Sequence, residues 1–155
     1  MHRITRAAAV IAAGFILGVA AVPAAAALST SDACTLLSTA QITSAIGISV
    51  GTGVWTAPTF KTTCSWNAAG SGWITLMITN PDAFQSARLP SKGSIVDTTV
   101  SSLGDDAYYL AVGENIGLFV KKGTFVFKIA IYGQESLDQK RAMEKTLARQ
   151  ILSEL

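Results

Sequence analysis

The chain predicts an α+β fold, an antiparallel sheet of about six strands with helices packed on one face and a long helix at the C-terminus. Three observations carry this. Ile74, Leu76 and Ile78, and later Phe125, Phe127, Ile129 and Ile131, recur with the period of two expected of half-buried strands. Short turn signals at Gly104-Asp105, Gly113-Glu114-Asn115 and Lys122-Gly123 separate successive apolar runs, as in antiparallel hairpins. Met143, Leu147, Ile151 and Leu155 follow at four-residue spacing, giving a helix with one apolar side that must lie on the inner faces of the strands.

The N-terminus reads as a secretory signal peptide over residues 1–27. Arg3 and Arg6 precede an uncharged apolar run at 7–22, and Pro23 leads into four alanines. A retained membrane anchor is the alternative, but a run of this length falls short of the about 20 apolar residues a spanning helix needs. A lipoprotein anchor fits less well, because Ser31, Asp32 and Ala33 before Cys34 make a poor lipidation box. Cleavage after Ala26 or Ala27 leaves one domain over residues 28–155, secreted or periplasmic.

Along that domain, Asp32 caps a first helical turn. Ser38 and Gln41 make a capping box for a short helix that presents Ile42, Ala45 and Ile46 and ends at Gly47. Residues 50–58 show no regular pattern. Strands follow at 61–66 and 73–80 around a Gly-rich loop, and Asn80 with Pro81 opens a helix that Pro90 stops. Further strands are expected at 94–100, 107–112, 116–121 and 124–132. Ser136 and Gln139 form a second capping box for the terminal helix.

Removing Arg3 and Arg6 from the 12 basic residues leaves 10, against 10 acidic ones, so the mature domain is formally neutral. It lacks the basic field that nucleic acid or an anionic membrane requires, and nucleic-acid binding drops out. With half its residues hydrophobic and 14% charged, the chain buries a core and does not persist as a disordered tail.

Cys34 and Cys64 are the only cysteines, an even number in a chain read as exported, and are expected to form a structural disulfide. A redox or nucleophilic pair would need C-x-x-C spacing or an activating base. The only histidine, His2, leaves with the leader. The match of Gly47-Ile48-Ser49-Val50-Gly51 to G-x-S-x-G therefore lacks a histidine, and a helix precedes it where the nucleophile elbow needs a strand. No catalytic residue is assigned and no cofactor is called for. Asp105 and Asp106, with Glu114 across a hairpin, are the one acidic group to consider for a hard cation or for acid–base work. Tandem residues on a strand point to opposite faces, so turn chemistry explains the pair more simply. The candidate binding surface is aromatic: Trp55, Trp73, Tyr108 and Tyr109, at least one of them exposed.

Asp32-Ala33-Cys34-Thr35-Leu36-Leu37, Cys64-Ser65-Trp66 and Leu103-Gly104-Asp105-Asp106-Ala107-Tyr108-Tyr109 occur in that order. Together they resemble uncharacterised exported bacterial proteins of domain-of-unknown-function families, many of them lipoproteins, in which a Cys-x-Leu-Leu helix and a Cys-x-Trp strand precede a Gly-Asp-x-Ala strand and a C-terminal helix. The resemblance covers nearly all of the mature chain and departs from the lipoprotein members in lacking a lipidation cysteine. It implies an exported domain with a disulfide and an antiparallel sheet, and it brings no catalytic residues. The expected function is a non-enzymatic binding or envelope accessory module, whose partner is an envelope protein, a glycan or a small apolar ligand, with no membrane anchor after cleavage. The alternative is an enzyme using Asp105, Asp106 and Glu114.

Overall fold

A computed structural model describes residues 31–155 apart from residues 71, 90, 98 and 99. The leader expected at 1–27, the Pro90 stop and part of the strand expected at 94–100 lie outside the described residues. From Asp32 onward the local hydrogen bonds follow the side chains that prescribe them. The Asp32 carboxylate accepts from the Cys34 N–H at 3.0 Å and starts a 3-10 turn, Ala33–Thr35. Ser38 and Gln41 close their capping box at the head of α1 (Thr39–Ile46). Gly47 ends that helix at φ 70°, a left-handed conformation in which any Cβ would be strained.

Seven strands follow: β1 (Val54–Ala57), β2 (Phe60–Ala68), β3 (Gly72–Thr79), β4 (Ser94–Asp97), β5 (Asp106–Val112), β6 (Asn115–Lys122) and β7 (Phe125–Tyr132). Helix α2 (Pro81–Ala87) lies between β3 and β4, and α3 (Leu137–Ser153) closes the chain. The strands form one sheet in the order β1-β2-β3-β7-β6-β5-β4, antiparallel throughout. Two meanders thus meet where β3 pairs with β7, from Trp73↔Tyr132 to Thr79↔Val126. The fold is α+β, with seven strands instead of about six. The additional one is β1, in the stretch that showed no pattern; it is an edge strand with Val54, Trp55 and Thr56 all exposed, so it has no inner face to alternate.

The first face of the sheet carries the main core. Ile74, Leu76, Leu118, Val120, Phe127 and Ile129 are fully buried there, beneath Leu147, Ala148 and Ile151 of α3 and Ile42 of α1. The buried stripe of α3 is Lys140, Glu144, Leu147, Ala148 and Ile151, while Leu155 is exposed. Strict four-residue spacing drifts about 40° per step around a helix, so the expected row from Met143 to Leu155 leaves the interface and Glu144 enters it.

The helices do not all share that face. α2 lies on the other side, where Phe84 forms a second cluster with Tyr108, Phe119 and Val126, the residues that alternate with the main core along β5, β6 and β7. Phe84 meets Tyr108 edge-on at 4.9 Å between ring centroids, and Tyr108 stacks on Phe119 at 4.9 Å. The Tyr108 hydroxyl donates to the Phe84 carbonyl at 2.7 Å. Burial raises its pKa to about 12, so it remains a donor. Tyr108→Phe is expected to cost about 1 to 2 kcal/mol, because the buried carbonyl loses its donor with little change of shape. Urea denaturation measures this, and an unchanged midpoint would mean that the bond does not hold α2 to the sheet.

Candidate functional site

Cys34 and Cys64 are joined as expected, with their Cα atoms 5.0 Å apart. The bond ties the N-terminal 3-10 turn to the first face of β2. It is a structural element, and no free cysteine remains among the described residues.

The aromatic residues divide into two groups. Tyr108 and Tyr109 leave the candidate surface, since both are buried. They point to opposite faces as neighbours on a strand must, but both faces are covered at that point. The Tyr109 hydroxyl donates to the Arg141 carbonyl at 2.7 Å, and burial pushes its pKa up to about 12. Trp55 and Trp73 are 41% and 45% exposed and remain available. Trp55 sits on edge strand β1, its indole N–H donating to Asp32 Oδ1 at 2.9 Å and Lys61 Nζ lying 4.9 Å from its ring centre. Its N–H edge and one ring face are thereby engaged within the molecule, beside a shallow hollow shared with Pro58 and Cys34.

The three carboxylates do not converge. Asp105 accepts from the Gly123 N–H at 2.6 Å and from Lys122 Nζ at 3.1 Å, closing the turn between β6 and β7. Those two bonds, the backbone one foremost, hold its pKa below the ordinary carboxylate value, the opposite of what an acid catalyst needs. Asp106 pairs with Arg88 at 2.7 Å. Glu114 follows the far end of β5, roughly 25 Å from Asp106 at the rise of an antiparallel strand. Among the described residues no group of three or more His, Cys, Asp or Glu gathers to hold a metal ion, and no helix is long and apolar enough to cross a membrane.

What the fold does assemble is a partly uncovered second face. α2 covers the end of the sheet at Tyr108, Phe119 and Val126; beyond it, Trp73 of β3 stacks on its cross-strand partner Tyr132 of β7 at 4.8 Å and 15° between ring planes. Next to that pair, β6 and β7 part. Their ladder runs from Lys122↔Phe125 to Leu118↔Ile129 and stops, although β6 continues along β5 and β7 continues along β3. A hollow of about 210 Å³ opens where they diverge, lined by Leu110, Val112, Asn115, Gly117, Lys128 and Tyr132 among others.

Two side chains mark this parting, one on each face. On the second face, Lys128 lies across Gly117, with its ammonium 5.3 Å from the centre of the Phe119 ring. A Cβ on Gly117 would stand 2.6 Å from Lys128 Cε, so only glycine lets the lysine take this path. Burial pushes the Lys128 pKa down, and its ammonium makes no ion pair or hydrogen bond among the described residues. On the first face, Glu144 of α3 is fully buried and its Oε1 accepts from the Ile131 N–H at 3.0 Å, serving as the partner that β6 no longer supplies. Its other oxygen has no hydrogen-bond partner, and burial raises its pKa to about 8 despite the Ile131 bond and the neighbouring Lys128 charge.

Sequence reasoning missed Lys128, Tyr132 and Glu144. Lys128 and Tyr132 carried one signal, their place on the face of β7 opposite Phe127, Ile129 and Ile131. For Glu144 the signal was its position three residues before Leu147 and four before Ala148. Comparison of the chain with protein-family models, with curated proteins and with solved structures finds no match.

Proposed function

We propose that this chain is an exported binding domain that recognises its partner with the uncovered part of the second sheet face. The observation that carries the reading is the exposed Trp73, stacked on Tyr132 beside the hollow where β6 and β7 part. A large aromatic held in place by a cross-strand neighbour offers contact area at little cost in side-chain entropy. Export is supported by the leader pattern at residues 1–27, by the disulfide and by the resemblance to exported bacterial proteins. The non-enzymatic reading is supported by the engagement of Asp105 and Asp106 in a turn and an ion pair.

Capture from an envelope extract with the oxidised domain tests this. Trp73→Ala is expected to abolish retention of a specific partner, while Trp55→Ala, on edge strand β1, retains it. Loss in Trp55→Ala with Trp73→Ala unaffected would move the site to β1, and a Trp73→Ala domain that captures like the parent overturns the proposal. Tyr108 is unsuitable as a probe because its removal opens the core.

A further inference from the structure

We infer that the hollow between β6 and β7 is a binding site for a small organic monoanion, a carboxylate attached to an apolar or ring-shaped body, with Lys128 as its counter-ion. The inference rests on the proposed recognition face and deepens it by naming a ligand class.

The size of the site comes first. Small-molecule pockets commonly hold about 300 to 1,000 Å³, and this one, at about 210 Å³, admits a body no larger than a single six-membered ring with its substituent. It exists because Gly117 contributes no side chain at the point where the ladder ends. The walls set the chemistry of the body. Leu110 and Val112 from β5 are apolar, and Tyr132 presents a ring whose orientation is fixed by Trp73. Asn115 adds one neutral donor and acceptor at the wall.

Charge then selects the head group. Lys128 is the only ionisable cation lining the hollow, and no carboxylate lines it. Its ammonium is partly removed from water and on this face meets the Phe119 ring, with no hydrogen bond or ion pair among the described residues, an arrangement that favours an incoming anion. The one acid behind it, Glu144, lies on the other face of the sheet with its carboxyl turned to the Ile131 N–H. One positive charge matches one negative charge. A phosphate dianion would need a second cation, and the lining offers none. Lys128 as a point charge asks nothing of the head group beyond a single anionic oxygen pair within reach.

The test is an amide-resonance NMR titration of the oxidised domain with benzoate, cyclohexanecarboxylate and glucuronate, set against benzamide, cyclohexanecarboxamide and inorganic phosphate. Saturable shifts are expected at Gly117, Lys128 and Tyr132 with at least one of the carboxylates, with its neutral amide and phosphate at least tenfold weaker. Lys128→Met, which keeps the apolar stem across Gly117, is expected to weaken carboxylate binding at least tenfold while leaving the spectrum elsewhere unchanged. No saturable shift with any of the three acids, equal binding of acid and amide, tighter binding of phosphate, or undiminished binding by a folded Lys128→Met domain each overturns the inference. If it fails while Trp73-dependent capture persists, the recognition face stands and its ligand is of another class; if both fail, the face itself is wrong.

Discussion

Removal of the Cys34–Cys64 bond, by reduction or by the Cys34→Ala/Cys64→Ala double substitution, is expected to lower stability by about 3 to 4 kcal/mol on the chain-entropy estimate for a separation of 30 residues. For a domain of this size that corresponds to a fall in melting temperature of roughly 10 to 20 °C. Most of the effect arises in the unfolded chain, which gains freedom when the loop opens. Part is local to the native state. The bond pins the turn that carries buried Ala33, Leu36 and Leu37, and the same turn places Asp32 where its carboxylate accepts from the indole N–H of Trp55. Thermal melts of oxidised, reduced and doubly substituted protein, followed by tryptophan fluorescence, measure it. Melting within a few degrees across the three would show that packing of the turn alone holds the N-terminal segment.

The second large effect is a loss of stability with rising pH, governed by Glu144. Its folded pKa, about 8, lies above the ordinary value of 4.5. Between those values the native state holds a proton that the unfolded state has released. The contribution to stability is therefore complete below about pH 4.5 and is lost as pH rises towards 8, up to about 5 kcal/mol over the window. The groups facing this carboxyl are the Ile131 N–H and Lys128 from β7 and Lys140 and Arg141 from α3, with Tyr109 of β5 also sensing its charge. The only histidine is His2, in the segment proposed to be removed on export. Urea denaturation at pH 5, 6, 7 and 8 is expected to show midpoints falling with pH in the parent and a nearly level series in Glu144→Gln, whose amide oxygen still accepts from Ile131. A parallel fall in both proteins would place the pH dependence elsewhere.

Local signals in the sequence translated directly into structure. Ser38 with Gln41 and Ser136 with Gln139 specify helix starts through bonds spanning three residues, and both boxes form. The alternation in β3 and β7 gave their inner faces correctly because a period of two needs no knowledge of the partner strand. The features that escaped depend on what lies across the sheet. β1 is defined only by pairing with β2, and its exposed side chains leave no periodic trace. The burial of both Tyr108 and Tyr109 requires knowing that Phe84 brings α2 over the second face. The candidate site is readable only in part. Trp73 was visible as an aromatic opposite Ile74 and Leu76, whereas the hollow arises from the divergence of β6 and β7, which neither strand records alone.

The strand that comes last in the chain stands fourth of the seven, in the middle of the sheet. Among the described residues, β7 is the strand that pairs with both β3 and β6, and α3, which covers the first face, comes after it. A chain delivered N-terminus first therefore presents β1 to β3 and β4 to β6 as two incomplete sheets, each with an open edge waiting for residues 125–132. The pairings that join them, β3 with β7 and β6 with β7, are distant in sequence and need residues 125–132, the kind of contact that forms late. For a chain exported as proposed, this order leaves the pairing edges of β3 and β6 open until residues 125–132 have been delivered, so the sheet is completed last and from its middle.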